Sequence, residues 1–329
     1  TSSRNSGVLH AGFIYPLDSL KTKFCNDGRN LLYDYAKSNN ITHKKIGKII
    51  IGNSSADLKK FKIYKENAKI SSGTQLIDLN QTELKNLEPN VVAKHGLLSP
   101  ETGLIDVHEL ASSFEKDIKN NSGVVSLQSL ITSIEQEDKK FILNVESQAY
   151  KYKVSTRYLI LAGGLHTEHL IRKSSLSLNT KLRPIRFAKG HYFKLIGKAP
   201  FKHLIYPIPG KFGLGIHSTT DFQGSIKFGP DVVISDYLNY HFESGREAIF
   251  RKSISDYWPE IEHREIHQDY VGVRPKIQLD NEDFCDFQIL TTDIHHVQNL
   301  TCLHGIESPG LTSCMAIANF ILENLKTRN

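Results

Sequence analysis

Twice in this chain an apolar strand runs into glycine and a helix follows at once. In RYLILAGGLHTEHL (157–170) the strand ends at Ala162-Gly163-Gly164. In LHGIESPGLTSCMAIANFI (303–321) it breaks at Gly305, Ser308-Pro309-Gly310 turns the chain, and Leu311-Thr312 opens a helix. A strand feeding a helix is the unit of α/β architecture, in which helices pack on the faces of a sheet. Glycine at such a turn lets backbone approach a ligand closely, and the helix start behind it can face a phosphate or a ring edge. Gly310, Leu311 and Thr312 would offer unpaired N–H groups at the positive end of a helix dipole. Each feature also has a plain reading, a tight turn in one case and an ordinary capped helix in the other.

The rest of the chain surrounds these units with two kinds of pattern. Leu17, Leu20, Phe24, Leu31, Leu32 and Tyr35 give a rough helical stripe over 17–39, weakened by Gly28. IGKIIIG (46–52) reads as a strand, and lysine-rich helices follow near 56–68 and 81–88. Asp106 with Glu109 makes a capping-box pattern, with Val107, Leu110, Ala111, Phe114 and Ile118 on one face behind it. Residues 122–162 then turn to strands, with a turn at Glu137-Asp138. Residues 183–233 are β-rich and punctuated by Pro and Gly, and FGLGIHSTTDFQGSIKFGPD (212–231) reads as a hairpin. A helix is expected from Ser244, with Glu247 as its box partner, through Tyr257. The last helix presents Leu311, Met315, Ala318, Leu322 and Leu325 as one apolar stripe. This predicts two interleaved units: an α/β unit over 1–45, 105–182 and 271–329, and a mostly antiparallel sheet with helices over 46–104 and 183–270.

Composition narrows the function classes. The chain has 329 residues, enough for a large core and two domains. Its 41 basic and 35 acidic residues give +6, with no long basic run. That is a mild bias toward anionic ligands and not a nucleic-acid footprint. Cys25, Cys285, Cys302 and Cys314 form no CxxC pair and fit a reduced, intracellular protein better than a disulfide scaffold. No apolar run approaches the ~18 residues of a membrane span, and no leader pattern is present. The expectation is a cytoplasmic protein, at most peripheral to a membrane.

Several side chains invite chemistry. Arg274 stands in YVGVRPKI (270–277) with apolar neighbours, and a buried arginine needs a partner. A substrate carboxylate held bidentately would serve, as would a strand end facing water. His217 sits beside Thr219, where a lone histidine is more often structural than catalytic. Gly213 and Gly215 lack a third glycine and a following helix, so they are not a phosphate loop. His263 and His267 bracket their glutamate wrongly for a zinc protease, and no metal set is expected. There is no G-x-S-x-G elbow and no P-loop.

One stretch is specific. RNSGVLHAGFIYPLDSLKTKFC (4–25) closely resembles the L-2-hydroxyglutarate dehydrogenase/oxidase family, where the run reads like NSGVIHAGIYY-x-x-GSLKA-x-x-C. GHYFKL (190–195), HLIYPIP (203–209), LGIHST (214–219), GSIKFGPD (224–231), GVRPKI (272–277) and GIESPGLTS (305–313) are similar to later landmarks of that family, in the same order. The resemblance covers nearly the whole chain. It implies an FAD-dependent enzyme of the D-amino-acid-oxidase-like fold, oxidising L-2-hydroxyglutarate to 2-oxoglutarate by hydride transfer to flavin. The α/β unit is then an FAD/NAD(P)-binding, Rossmann-like domain, and the antiparallel unit binds substrate.

The resemblance also implies roles. Ser3, Arg4, Asn5 and Ser6 would run beside the flavin and its pyrophosphate. Ile131 would meet the adenine through its backbone. Ala162, Gly163, Gly164 and Gly272 would contact FAD, and Gly305, Gly310, Leu311 and Thr312 would lie under the flavin ring. His10 and His217 are the candidate bases. Arg274 would clamp a carboxylate, with Tyr192 as hydroxyl donor and Lys276 assisting. An electron acceptor is implied, whether oxygen, a quinone or an electron-transfer protein, and so is contact with an inner or mitochondrial membrane surface.

One departure stands out. The family begins with a strand, a G-x-G-x-x-G turn and a helix, and the 329 residues contain no G-x-G-x-x-G. The expectation is an incomplete cofactor domain lacking its first βαβ unit, with weak or absent FAD binding. The alternatives are an oxidase of another 2-hydroxy acid or an amino acid, or an inactive relative unable to hold FAD.

Overall fold

Ser19 starts the first long helix. Its Oγ accepts from the Thr22 amide at 3.1 Å, and the chain passes from the short strand β1 (Val8–Leu9) into α1 (Leu20–Ser38). The computed structural model describes residues 2–138, 140–148, 150–208, 215–277 and 284–326. Gly213 and Leu214, in the hairpin expected over 212–231, lie outside the described residues.

Next come β2 (His43–Lys44), β3 (Lys48–Gly52), α2 (Ser55–Ser72), β4 (Ile77–Asn80), α3 (Gln81–Leu87), β5 (His95–Ser99) and β6 (Gly103–Ile105). Capping boxes at Ser54/Asp57 and Asn80/Glu83 set the starts of α2 and α3. Asp106 begins α4 (Val107–Asn120) by accepting from the amides of His108 and Glu109. The reciprocal bond expected from Glu109 is not made. Its carboxylate accepts instead from the amide and hydroxyl of Thr42, tying the helix to the loop before β2.

The meander β7 (Ser129–Glu137), β8 (Lys140–Ser147) and β9 (Lys151–Thr156) turns at Asp138, and 122–128 stays outside it. Then β10 (Leu159–Leu161) leads to α5 (Thr167–Arg172). The second half supplies β11 (Ile185–Leu195), β12 (Leu204–Pro207), β13 (Ser218–Thr220), β14 (Ile226–Phe228), β15 (Val233–Ser235), α6 (Arg246–Ser255) and β16 (Ile266–Ile277). The start expected at Ser244 moves to Gly245, whose left-handed backbone caps α6 without a side-chain bond. Glu247 is engaged by Arg251 one turn on. The chain closes with β17 (Gln288–Leu290), α7 (Thr292–His295), β18 (Leu300–His304) and α8 (Gly310–Lys326).

Among the described residues the strands form four sheets, one of them a three-stranded antiparallel sheet of β1, β6 and β2. A nine-stranded sheet runs β15-β11-β14-β13-β12-β3-β5-β4, with β16 on the other edge of β11. It is antiparallel except where β12 lies parallel to β3. Its largest core cluster holds Trp258, Tyr257, Phe193, Phe228 and Phe250. The α/β part is smaller: β10 parallel to β18, with β17 antiparallel beyond. The meander packs on it through Ile134 and Phe141 against Leu159 and Leu161. Among the described residues no strand pairs the other edge of β10, and no helix is long and apolar enough to cross a membrane.

Helix α8 keeps part of the expected stripe, with Leu311, Met315 and Leu325 half-buried against the core, but its fully buried face differs. Thr312, Ser313, Ala316, Ile317 and Ile321 are buried, whereas Leu322 is 49% exposed and Ala318 is exposed too. The helix is apolar on most sides, and packing chose the side with small residues because α1 comes so close. A Cβ on Gly28 would lie 2.2 Å from the carbonyl oxygen of Thr312. The residue that weakens the middle of α1 is what lets the two backbones meet.

Candidate active site

A cavity of about 360 Å³ opens where the α/β part meets the nine-stranded sheet. Most of its lining comes from five places. The N-terminal loop gives Ser2, Arg4, Asn5, Ser6, Val8 and His10. The end of β10 gives Ala162 and Gly164, β11 gives Gly190 and Tyr192, and β16 gives Gly272 through Pro275. The loop after β18 and the start of α8 give Ile306 through Thr312.

Thr312 ties two of these places together. Its Oγ1 accepts from the His10 amide at 3.1 Å and donates to the Val8 carbonyl at 3.3 Å. His10 is half-buried and its open side is the cavity. The His10 Nε2 lies 3.5 Å from Ser308 Oγ. Burial, reinforced by Lys48, His217 and Arg274, holds the His10 imidazole well below the usual histidine range, so it is neutral at pH 7.

Arg274 reaches the cavity from β16. Burial works against its charge, but Tyr192, Glu307 and Tyr15 outweigh it and raise its proton affinity. The Tyr192 hydroxyl is its hydrogen-bond partner, and the Tyr192 ring stacks on Tyr270 with centroids 4.5 Å apart and planes at 16°. Glu307 is the one acidic side chain among the described lining residues. Lys21 holds it at 3.0 Å in a pair with little exposure.

His217 is buried but does not line the cavity. Its ring lies flat on Tyr206, centroids 3.8 Å apart and planes at 10°. Ser3 lines a smaller neighbouring cavity of about 160 Å³ that shares Asn5, Ser6 and Tyr192 with the first. Gly163 supplies the turn itself, its carbonyl accepting from His166 N at 3.0 Å.

Three expected residues lie elsewhere. Ile131 sits in the meander against the Leu159–Leu161 cluster. Lys276 is exposed on β16 and outside the lining. Gly305 serves packing, since a Cβ there would lie 2.3 Å from Ile277 Cδ1. Conversely, Glu307 belongs to the site, and Ser308, expected only as a turn residue, lines it too. Lys48, at the head of an all-apolar strand, carries no signal in the sequence beyond membership of that strand.

The matched family settles the class. Residues 1–323 match the model described as DAO, FAD dependent oxidoreductase. The chain belongs to this family of FAD-dependent oxidoreductases. The oxidoreductase is 35% identical to the mitochondrial L-2-hydroxyglutarate dehydrogenase of Arabidopsis thaliana, over 98% of this chain and 74% of that protein. It is 25% identical to the L-2-hydroxyglutarate dehydrogenase of Escherichia coli K12, over 99% and 84%. Among solved structures it superposes on the dithionite-reduced, FAD-bound L-alpha-glycerophosphate oxidase of Mycoplasma pneumoniae. The TM-score is 0.85 at 19% identity, covering 99% of this chain and 85% of that one. Glycine oxidase from Geobacillus kaustophilus gives 0.81 at 14%, covering 99% and 84%.

The lining residues of the oxidoreductase fit FAD at its flavin end. In the first turn of α8, Glu307 O takes the Gly310 amide and Pro309 O takes that of Ser313. That leaves the amides of Leu311 and Thr312, at the positive end of the dipole, for an electron-rich ring edge. Gly164 has a left-handed φ of +55° and nothing within 4 Å of where a Cβ would stand, so a flat ligand can reach its backbone.

Proposed function

We propose that this oxidoreductase converts a 2-hydroxy dicarboxylic acid, L-2-hydroxyglutarate, to 2-oxoglutarate. The observation that carries the reading is one cavity holding both the Arg274 guanidinium and a neutral His10 imidazole. A 2-hydroxy acid must lose a proton from oxygen and a hydride from carbon. FAD, when bound at Gly164, Gly272 and Gly310–Thr312, supplies the hydride acceptor. The remaining work falls to the chain.

Arg274 takes a substrate carboxylate in a bidentate contact, with the Tyr192 hydroxyl holding the guanidinium in place. His10 takes the hydroxyl proton, and Ser308 fixes its ring. As that O–H bond breaks, the oxygen lone pair forms the carbonyl and the C–H bond releases its hydride. The second carboxylate finds a basic environment, with Lys48 and His217 behind His10 and Glu307 neutralised by Lys21. In this reading 1–45, 105–182 and 271–329 form the cofactor side, and 46–104 and 183–270 the substrate side. The relatives named for L-2-hydroxyglutarate support the choice of acid.

The test begins with the visible absorbance of the purified complete gene product, which should show bound flavin. L-2-hydroxyglutarate, L-lactate and glycine are then compared with a dye acceptor. L-2-hydroxyglutarate is expected to lead by at least about 100-fold, because its rivals leave a buried charge unmet. A colourless protein, or equal rates, overturns the reading. Turnover in air without dye separates oxygen from a quinone or an electron-transfer protein as acceptor.

A further inference from the structure

Tyr192 stands between two cavities and is 7% exposed. With Asn5 and Ser6 it lines both the cavity of about 360 Å³ and the neighbouring one of about 160 Å³. Two groups hold it there. Its hydroxyl bonds Arg274, and its ring lies on that of Tyr270, with centroids 4.5 Å apart and planes at 16°. Tyr270 lines the smaller cavity and not the larger. Lys227 Nζ lies 5.0 Å from the Tyr270 ring centroid, and Asp269 holds that ammonium at 2.8 Å.

The pairing of β11 with β16 makes that stacked pair a wall. Gly190 lies opposite Gly272, and Ala188 opposite Arg274. Side chains share a face at every second residue, so Tyr270, Gly272 and Arg274 lie on one side of the sheet with Ala188 and Gly190. The register shifts between His191 and Phe193, and the stack fixes the Tyr192 ring on that same side. Between Arg274 and the tyrosines these two strands carry only the glycine pair, and both glycines line the larger cavity. Beyond Tyr192 the smaller cavity is polar, with Thr219, Thr220 and Lys227 in its lining. Its acidic lining residues are engaged already. Asp106 accepts from the amides of His108 and Glu109, and Asp221 from those of Gln223 and Ser225. The tail carboxylate of a long acid would find hydroxyls and an ammonium there.

We propose that Tyr270 is a positioning residue that sets the chain length of the acid: its ring holds Tyr192 in place between the two cavities, so a 2-hydroxy dicarboxylic acid longer than the larger cavity is shut out of the smaller one. The inference rests on the reading of the larger cavity as the site of 2-hydroxy acid oxidation. A close-packed wall does not yield to an added methylene. Without the Tyr270 ring behind it, Tyr192 can turn into the vacated space, and the two cavities join.

The test is a chain-length series on the complete gene product with FAD bound: L-2-hydroxyglutarate, L-2-hydroxyadipate and L-2-hydroxysuberate. Affinities for the matching 2-oxo acids are measured alongside by titration calorimetry, which needs no turnover. The unmodified protein should lose about 10-fold or more in kcat/KM with the first added methylene. Tyr270→Ala should regain at least about 10-fold for the longer acids relative to L-2-hydroxyglutarate, a gain that a merely loosened fold does not give. Tyr270→Phe, which keeps the stacked ring, should keep the unmodified ratio. If Tyr270→Ala does not fold, Tyr270→Leu, which cannot stack, is read in the same way. A folded variant with an unmoved ratio overturns the proposal, and so do equal rates along the series in the unmodified protein. Failure of the reaction reading looks different. L-2-hydroxyglutarate then goes unoxidised, while the 2-oxo acid affinities still shift toward longer chains in Tyr270→Ala. Turnover of L-2-hydroxyglutarate with unmoved ratios removes the role of Tyr270 alone.

Discussion

Tyr206 lies flat on His217, with ring centroids 3.8 Å apart and planes at 10°, and the ammonium of Lys48 lies 5.1 Å from the centroid of the same Tyr206 ring. The tyrosine therefore couples a buried cation to a buried imidazole. Replacing the ring and removing the hydroxyl test different things. Tyr206→Phe keeps the stack and loses the bond to Thr219, at a cost of about 1 kcal/mol in stability. Tyr206→Leu removes the stack, and a further ~0.5–1.5 kcal/mol should go with it. Urea unfolding of the two variants measures the difference, and equal midpoints would show that the stack contributes nothing.

Arg274 should matter for substrate more than for cofactor. Arg274→Ala removes a charge-assisted contact worth ~1.5–3 kcal/mol, or about 10- to 150-fold in kcat/KM. Arg274→Lys should recover only part of it, because a lysine cannot present a planar fork to a carboxylate. Flavin absorbance should be unchanged in both, and loss of flavin would place Arg274 in cofactor binding instead.

Acid should weaken the fold. Burial is the first cause lowering His10, His295 and His304 below the usual 6.5. Below that pH the unfolded chain binds protons that the folded chain refuses, so stability falls as pH drops. Each histidine contributes at most about 1.4 kcal/mol per pH unit. Urea midpoints measured from pH 7 to pH 5 should decline, and His295→Asn should flatten the slope.

The Lys21–Glu307 pair offers a fourth test. Lys21→Met strands a buried carboxylate at the edge of the cavity and should cost about 3–5 kcal/mol. It should also raise KM, because Glu307 is then free to occupy Arg274. Adding Glu307→Gln should restore most of both losses. A double variant no better than Lys21→Met would show that the pair acts through the lysine alone.

Local patterns in the sequence marked the elements well and their faces less well. Asp106, the strand into Ala162 and the turn at Ser308-Pro309-Gly310 stand where local chemistry put them, because capping and turns depend on near neighbours. The buried side of α8 could not be read, since Leu322 and Ile321 are equally apolar and only contact with α1 distinguishes them. Glu109 and Ser244 failed as caps because Thr42 and Gly245 met those needs first. His10 and Tyr192 are pointed to by resemblance alone and Arg274 also by its apolar strand, and the cavity gathers all three. Lys276 alternates with Arg274 along the same strand, yet it is exposed, because an alternation pattern does not say where a cavity ends. Lys48 was hidden for the opposite reason: nothing in IGKIIIG reveals which rings will close over a lysine.

The contact between Gly28 and Thr312 gives the site its tolerance. Packed backbones do not compress, so any bulk added at 28 becomes displacement of the helix whose first turn faces the cofactor. One methyl group, placed on a residue that touches neither substrate nor flavin, would move the amides of Leu311 and Thr312 and the hydroxyl that holds His10. The hydrogen on Gly28 works as a spacer of fixed thickness, and the alignment of the active site is set by that dimension.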